Sequence, residues 1–181
     1  MLTKKMTDAL NKQINRELHS AYIYMSMSAH CSFTGLKGFA TWFMVQYHEE
    51  MLHAMKLYEY VVNQGARVEL LPVEEPLKNF KSPIDILEKT LKHEQFMTKN
   101  INALVDLAIA EKDHATQIFM HWYVTEQVEE EDNVNDILNK LKLIGKDSNA
   151  LLTLDKELSA RMITVPTDFS RGVKAAMGAA A

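Results

Sequence analysis

The strongest constraint on the fold is a group of charged side chains placed where a buried helix should be apolar. Residues 46–53 read Gln-Tyr-His-Glu-Glu-Met-Leu-His, and at about 100° per residue Glu50 and His53 share one helix face. The apolar residues on either side follow the same phase, so Glu49, Glu50 and His53 stand where leucine or valine is expected. Unpaired carboxylates in a core would consume much of a domain's stability of about 5–15 kcal/mol. The stretch therefore predicts a bound cation inside a helical core.

The apolar periodicity predicts an all-α fold of four long helices and a short fifth one. The predicted helices cover about 3–32, about 36–64, Ser82 to a turn near Lys112, that turn to Ile144, and about 147–161. Residues 65–82 contain glycine and proline without a helical period, and they are long enough to run the length of a helix as a crossover. We therefore predict a four-helix bundle with parallel second and third helices. One domain spans residues 1–161, and 162–181 form a tail of no predicted structure.

Each long helix carries at least one glutamate in its apolar stripe. These residues are Glu17, Glu50, Glu94, and the pair Glu126 and Glu130. Counted from the helix ends, Glu50 and Glu94 lie at one height, Glu94 and Glu130 lie level, and Glu17 is within about one turn of them. Agreement in both phase and height predicts that the carboxylates meet in the middle of the bundle. The next two acidic residues, Glu131 and Asp132, are predicted to be solvated surface.

Composition excludes several classes of function. The net charge of −4 and the lack of a basic stretch argue against a nucleic-acid partner. No apolar run is long enough to span a membrane, and the amino terminus does not read as a signal peptide. The single Cys31 permits no internal disulfide and fits a reducing compartment. We expect a cytoplasmic protein.

The chain resembles the ferritin family over about residues 3–160. The resemblance rests on the motifs Asn11-x-Gln13-x-x-x-Glu17, Glu49-Glu50-Met51-x-His53, His93-Glu94 and Tyr123-x-x-Glu126-Gln127-x-Glu129-Glu130. It implies iron storage, with a ferroxidase centre at which dioxygen oxidises iron(II). It also implies that the ferric product is deposited inside a homo-oligomeric shell of about 24 subunits.

The resemblance also implies which residues hold iron. The first iron would be bound by Glu17, Glu50 and His53. Glu50 would bridge to a second iron on Glu94 and Glu130, with Gln127 close by. A third iron would lie on Glu49, Glu126, Glu129 and Glu130. Carboxylate oxygens with one imidazole are ligands that suit iron(II), and paired irons can reduce dioxygen.

Other residues near these motifs have more than one interpretation. Tyr24 lies two turns from Glu17 on one face, either as a buried hydrogen-bonded tyrosine or with a redox or supporting role. Met51 stands where bacterioferritins hold haem, but the fourth helix lacks their second Glu-x-x-His, so haem is not expected. Six histidines without in-phase partners are predicted to be non-catalytic: His19, His30, His48, His93, His114 and His121.

Two alternative functions remain open from the sequence. A rubrerythrin-like peroxidase shares the di-iron bundle, but one cysteine cannot build the rubredoxin-type site that usually delivers its electrons. A bundle that sequesters metal without oxidising it would carry the same ligands. The leucines of the fifth segment (151, 152, 154 and 158) are predicted to be buried against neighbouring subunits, rather than against their own bundle.

Overall fold

The computed structural model describes residues 2–162 and confirms an all-α bundle with a short fifth helix. The helices are α1 (Lys4–Phe33), α2 (Lys37–Asn63), α3 (Pro83–Ala110), α4 (His114–Ile144) and α5 (Ser148–Leu158). Apart from Met162, the predicted tail lies outside the described residues. Among the described helices, none has a stretch long and apolar enough to cross a membrane.

Local sequence signals fix the ends of α3 and α4. The Ser82 side chain accepts a hydrogen bond from the Asp85 N–H at 3.1 Å, as an N-cap should. Pro83 occupies the first helical position, where a missing N–H costs nothing. Gly145 ends α4 with a φ of 60°, a backbone angle that favours glycine. The two ends agree with the predicted bounds at Ser82 and Ile144.

The segment between α2 and α3 is the predicted crossover, and it runs along α1. Three side chains of α1 donate hydrogen bonds to its carbonyls: Asn11 to Arg67 (3.1 Å), Asn15 to Pro72 (3.2 Å) and Ser26 to Leu77 (2.7 Å). The contacts advance along both segments together, so the crossover travels from the start of α1 towards its end. This returns the chain to the end of the bundle where α2 began, and α3 therefore runs parallel to α2.

Two hydrophobic clusters fill the two ends of the bundle. One includes Phe39, Phe43, Leu87 and Leu138, and the other includes Leu10, Leu57, Ile101 and Met120. Between them lies a layer of buried polar side chains: Gln13, Glu17, Ser20, Gln46, Glu49, Glu50, His53, Glu94, Gln127 and Glu130. The bundle is thus apolar at both ends and acidic in the middle. This position of the carboxylates confirms the agreement in height that the sequence indicated.

Helix α5 packs on its own bundle, contrary to the prediction that neighbouring subunits cover all its leucines. Leu154 and Leu158 are 3% and 8% exposed in the single chain, whereas Leu152 is 60% exposed. The close approach depends on Gly38, because a Cβ there would lie 1.5 Å from the Asp155 carbonyl oxygen. The sequence reasoning missed this contact because it joins positions far apart in the chain. Only the outer side of α5 remains for a neighbour to cover.

Candidate metal centre

Three buried side chains from α1 and α2 form what we call the inner group: Glu17, Glu50 and His53. One ligand atom of each lies within 4.8 Å of the other two, and all three residues are 2% exposed. The Nδ1 atom of His53 is 3.5 Å from Oε2 of Glu50. Gln13 donates to Oε1 of Glu17 at 2.8 Å, which fixes that carboxylate. The spacing suits one metal ion bound by two carboxylates and an imidazole.

The second group joins α2 to α4 through the same histidine. His53, Glu126 and Glu130 also place one ligand atom each within 4.8 Å of the others. The Nε2 atom of His53 is 4.0 Å from Oε1 of Glu126, and Gln46 donates to Oε2 of Glu130 at 2.7 Å. The two ring nitrogens of His53 therefore face two different carboxylate sets. The arrangement has room for more than one cation.

Glu94 approaches the centre from α3 and is fully buried. Tyr24 donates its hydroxyl proton to Oε1 of Glu94. Gln127 donates to Oε2 of the same carboxylate at 3.3 Å and to the Glu94 backbone carbonyl at 3.2 Å. Tyr24 is thus a buried, hydrogen-bonded tyrosine that orients a candidate ligand. Gln127 lies beside Glu94, as the resemblance implied.

Three further glutamates, which we call the outer carboxylates, are Glu49, Glu126 and Glu129. Glu49 is buried, and its Oε2 accepts a hydrogen bond from Arg161 Nη2 at 2.7 Å. The Glu126 side chain is 19% exposed, and Glu129 is exposed. Glu129 is thus not buried with the inner group in the single chain. Its role as an iron ligand stays a prediction.

Burial favours the neutral form of three carboxyl groups at the centre when no metal is bound. Burial raises the pKa of Glu17, Glu50 and Glu94 well above the ordinary value of 4.5, and the neighbouring carboxylates add to the effect. Burial also raises the pKa of Glu49 to about 7, although the Arg161 guanidinium opposes this. A divalent cation would remove the repulsion and allow the carboxylates to ionise. The electrostatics of the centre therefore favour a cation.

Unpaired buried atoms support the same conclusion. Within the described chain, Glu50 Oε2, His53 Nε2 and Gln46 Oε1 are buried and have no hydrogen-bond partner. Buried polar atoms are normally satisfied, and each orphan costs about 1–3 kcal/mol. Two of the three are atoms that coordinate metals through lone pairs. The donor set, mainly hard oxygen with one nitrogen, fits iron(II).

Two residues near the centre, Arg161 and Glu131, were missed or misjudged from the sequence. Arg161 was missed, because nothing in the local pattern links it to Glu49. His93 lies outside both groups, and its Nε2 is 2.7 Å from the Ser20 hydroxyl. Glu131 was predicted to be solvated, but it is half-buried and accepts a hydrogen bond from Thr98 at 2.5 Å. Asp132 is exposed, as predicted.

Known proteins resemble this chain in both sequence and structure. A family model described as the ferritin-like domain matches residues 7–144. The chain is 44% identical over 156 residues to the bacterial non-heme ferritin of Campylobacter jejuni, covering 86% of this chain and 93% of that protein. It is 40% identical over 161 residues to the bacterial non-heme ferritin of Staphylococcus aureus, covering 89% and 97%.

Two solved structures of ferritin from the archaeon Archaeoglobus fulgidus superpose closely. One is a closed form engineered by site-directed mutagenesis, with a TM-score of 0.89 and 51% identity over 91% of this chain and all of that chain. The other is described as a novel open pore ferritin, with a TM-score of 0.89 and 51% identity over 90% of this chain.

Proposed function

Because this chain belongs to the ferritin family, we propose that it stores iron and oxidises iron(II) at the centre of its bundle. One observation carries the proposal: four helices aim buried carboxylates and one imidazole at a single layer between two hydrophobic clusters. Such a layer is costly unless a cation neutralises it. The relatives are ferritins by name, which supports iron as that cation.

In the proposed centre, Glu17, Glu50 and His53 bind the first iron(II) as substrate. Glu50 reaches towards the second position, because it shares the inner group with Glu17 and is also close enough to Glu130 for that carboxylate to raise its pKa. Glu94 and Glu130 complete the second position, and Gln127 and Tyr24 hold the Glu94 carboxylate in place. Two iron ions held side by side can together deliver two electrons to dioxygen.

The chain's own residues then control protons and water. The raised pKa values of Glu17, Glu50 and Glu94 mean that iron(II) displaces protons as it binds. The two hydrophobic clusters close the layer from both ends and limit access by water. Glu126 and Glu129 are more exposed than the inner group, so they offer oxygen ligands along a path by which iron could leave the centre. A third iron on Glu49, Glu126, Glu129 and Glu130 would be on that route.

We further propose that the chain forms a hollow homo-oligomeric shell of about 24 copies inside the cytoplasm. The crossover supports association, since Leu70, Leu71, Val73 and Leu77 are 40–66% exposed along one segment. Residues 1–161 would act as one domain. Sedimentation should show a particle of about 500 kDa, given a chain of 20.7 kDa. A monodisperse species of the single-chain mass would contradict storage in a shell.

The oxidation experiment separates the proposal from a bundle that only sequesters metal. The protein is loaded with about two iron(II) ions per subunit without oxygen, and then mixed with oxygenated buffer. We expect ferric absorbance to rise and dissolved oxygen to fall much faster than with iron(II) in buffer alone. Bound iron(II) that consumes oxygen no faster than the buffer control would overturn the ferroxidase assignment and favour sequestration.

A further inference from the structure

The only described arginine that forms an ion pair with a carboxylate of the centre is Arg161, which lies just beyond the end of α5. Its Nη2 donates to Oε2 of Glu49 at 2.7 Å, and the Arg161 side chain is 20% exposed. Its guanidinium carbon lies 4.6 Å from the centre of the Trp42 ring, a cation–π contact. Arg161 is thus held on two sides, by a carboxylate and by an aromatic face.

The docking of α5 fixes the position of this arginine. Asp155 accepts a hydrogen bond from the Phe39 N–H at 2.9 Å, at the amino-terminal end of α2. Gly38 has no side chain, so the α5 backbone can approach α2 closely. Leu154 and Leu158 of α5 are buried against the bundle. These contacts lie within the seven residues before Arg161. A shift of α5 would therefore move the guanidinium away from Glu49.

Lys56 is a second cation near the centre, and it is held less tightly than Arg161. Its Nζ lies 4.0 Å from the centre of the Trp122 ring, and its charge lowers the pKa of Glu126. Lys56 is exposed and forms no ion pair with Glu126 in the described chain. Arg161, by contrast, bonds its glutamate directly and has a buried Nη1 without a partner. Of these two cations, only Arg161 occupies a carboxylate lone pair that a metal ion would need.

We propose that Arg161 is the resident counter-cation of the outer carboxylates and sets their affinity for a third metal ion. This inference rests on the proposed function, because it takes Glu49 to be a ligand of that ion. Arginine stays charged at every accessible pH, so it competes for Glu49 permanently. A cation arriving at Glu49 must displace the guanidinium, and the guanidinium returns when the cation leaves. The outer position is therefore a transit site with weak binding, and not a third permanent site.

Zinc binding measured by calorimetry tests the proposal without iron chemistry. The intact protein is titrated with zinc at about pH 8, where a carboxylate with a pKa near that of Glu49 is mostly ionised. We expect two tight ions and one weaker ion per subunit. Arg161→Gln should strengthen the weak site by about tenfold to a hundredfold, the range expected when a competing charged hydrogen bond is removed, and leave the tight sites unchanged.

Three variants make the result specific. Arg67→Gln makes the same substitution at an exposed arginine of the crossover, and should leave all zinc affinities unchanged. Arg161→Lys keeps the positive charge but loses the contact of the planar guanidinium with Trp42, so its third-site affinity should lie between those of the parent and Arg161→Gln. Gly38→Ala displaces α5 without substituting any carboxylate of the centre, and should strengthen the third site in the same direction as Arg161→Gln.

Failure of the inference and failure of the proposed function give different results. If the parent binds three zinc ions and both Arg161→Gln and Gly38→Ala leave the third affinity within about twofold, the role of Arg161 is wrong and the di-metal centre stands. The inference is also wrong if Arg161→Gln weakens the third site. If the parent binds no zinc ion at the inner group, the proposed function and the inference both fail.

Discussion

The inner group and the outer carboxylates differ in how the negative charge of their glutamates is compensated. Within the described chain, no lysine or arginine forms an ion pair with Glu17 or Glu50 of the inner group or with Glu94 beside it, and burial drives these three carboxyls towards their protonated form. Glu49, only one residue from Glu50, has Arg161 as a partner. The inner group thus depends on protons or metal, whereas the outer carboxylates carry their own cation. We infer that the first is built to hold metal firmly and the second to pass it on.

Removing the proposed bridge should give the largest effect on function. Glu50→Ala takes a ligand from both metal positions, whereas changes to groups that only support ligands typically cost about 10- to 100-fold. We therefore expect the initial oxidation of two iron(II) ions per subunit to slow by about 100-fold or more. Stopped-flow absorbance on protein loaded without oxygen is the measurement.

Substitutions of the outer carboxylates should have a much smaller effect on the initial oxidation rate than Glu50→Ala. Glu49→Ala and Glu129→Ala should leave the first oxidation step largely intact, because neither residue belongs to the inner group. They should instead reduce binding of a third ion. Equal losses of initial rate in all three variants would show that the inner and outer positions do not have separate roles.

Metal binding should stabilise the folded protein strongly. An ion that binds only the folded state at about 100 times its Kd adds about 2.7 kcal/mol to the free energy of unfolding. For a chain of this size that corresponds to a rise in Tm of about 5–10 °C. Differential scanning calorimetry with and without saturating zinc measures it. An unchanged Tm would mean that the buried carboxylates are stable without a cation.

The metal-free protein should lose stability as the pH rises. Glu17, Glu50 and Glu94 have folded-state pKa values well above the ordinary 4.5, and that of Glu49 is about 7. The folded state therefore keeps protons that the unfolded chain releases above about pH 4.5, and this stabilisation disappears as pH rises through the folded pKa values. Denaturant unfolding between about pH 5 and pH 8 should show a falling free energy of unfolding.

A variant of one buried glutamate tests whether the fall in the free energy of unfolding with pH arises at the centre. Glu94→Gln removes one carboxyl with a raised pKa while keeping its shape, so the decline with pH should be shallower. Saturating zinc should reverse the trend, since protons compete with metal for the same oxygens. If the metal-free parent instead becomes more stable as the pH rises, the buried carboxyls are not protonated as we infer.

The smallest effect should come from a residue that touches only a ligand. Tyr24→Phe removes the hydroxyl that donates to Glu94 and leaves the ring in the core. We expect a loss of about tenfold in initial oxidation rate, with binding of two ions retained. Tyr22→Phe is the control, because Tyr22 is 46% exposed on the same helix. Similar rates for the two variants would mean that Tyr24 is structural only.

The sequence predicts the burial of three glutamates in the middle of the bundle, because helical phase repeats every 3.6 residues and height rises by about 1.5 Å per residue. Glu17, Glu50 and Glu94 each stand in an apolar stripe, and the structure buries all three. The acidic run from Glu129 to Asp132 is harder to interpret, since four consecutive residues point all round a helix. Glu130 lies in the predicted apolar stripe and is buried, whereas Glu129 is about 100° away on the helix, was named only through the resemblance, and is exposed.

Contacts between distant segments are where sequence reasoning falls short. Arg161 and Glu49 lie 112 residues apart, and no periodicity connects them. The α5 leucines predict an apolar face but not its partner, which depends on a close backbone approach at Gly38. The inner group was therefore accessible from the sequence, whereas the cation that distinguishes the outer carboxylates was not.

The central claim is that this bundle holds two metal ions firmly at the inner layer and a third more weakly at the outer carboxylates. Crystals soaked in iron(II) without oxygen, with anomalous differences measured at the iron edge, test it most directly. We expect strong peaks among Glu17, Glu50 and His53 and beside Glu94 and Glu130, with a weaker peak near Glu49 and a displaced Arg161. Iron found only on the protein surface, with the inner carboxylates unchanged, would contradict the account.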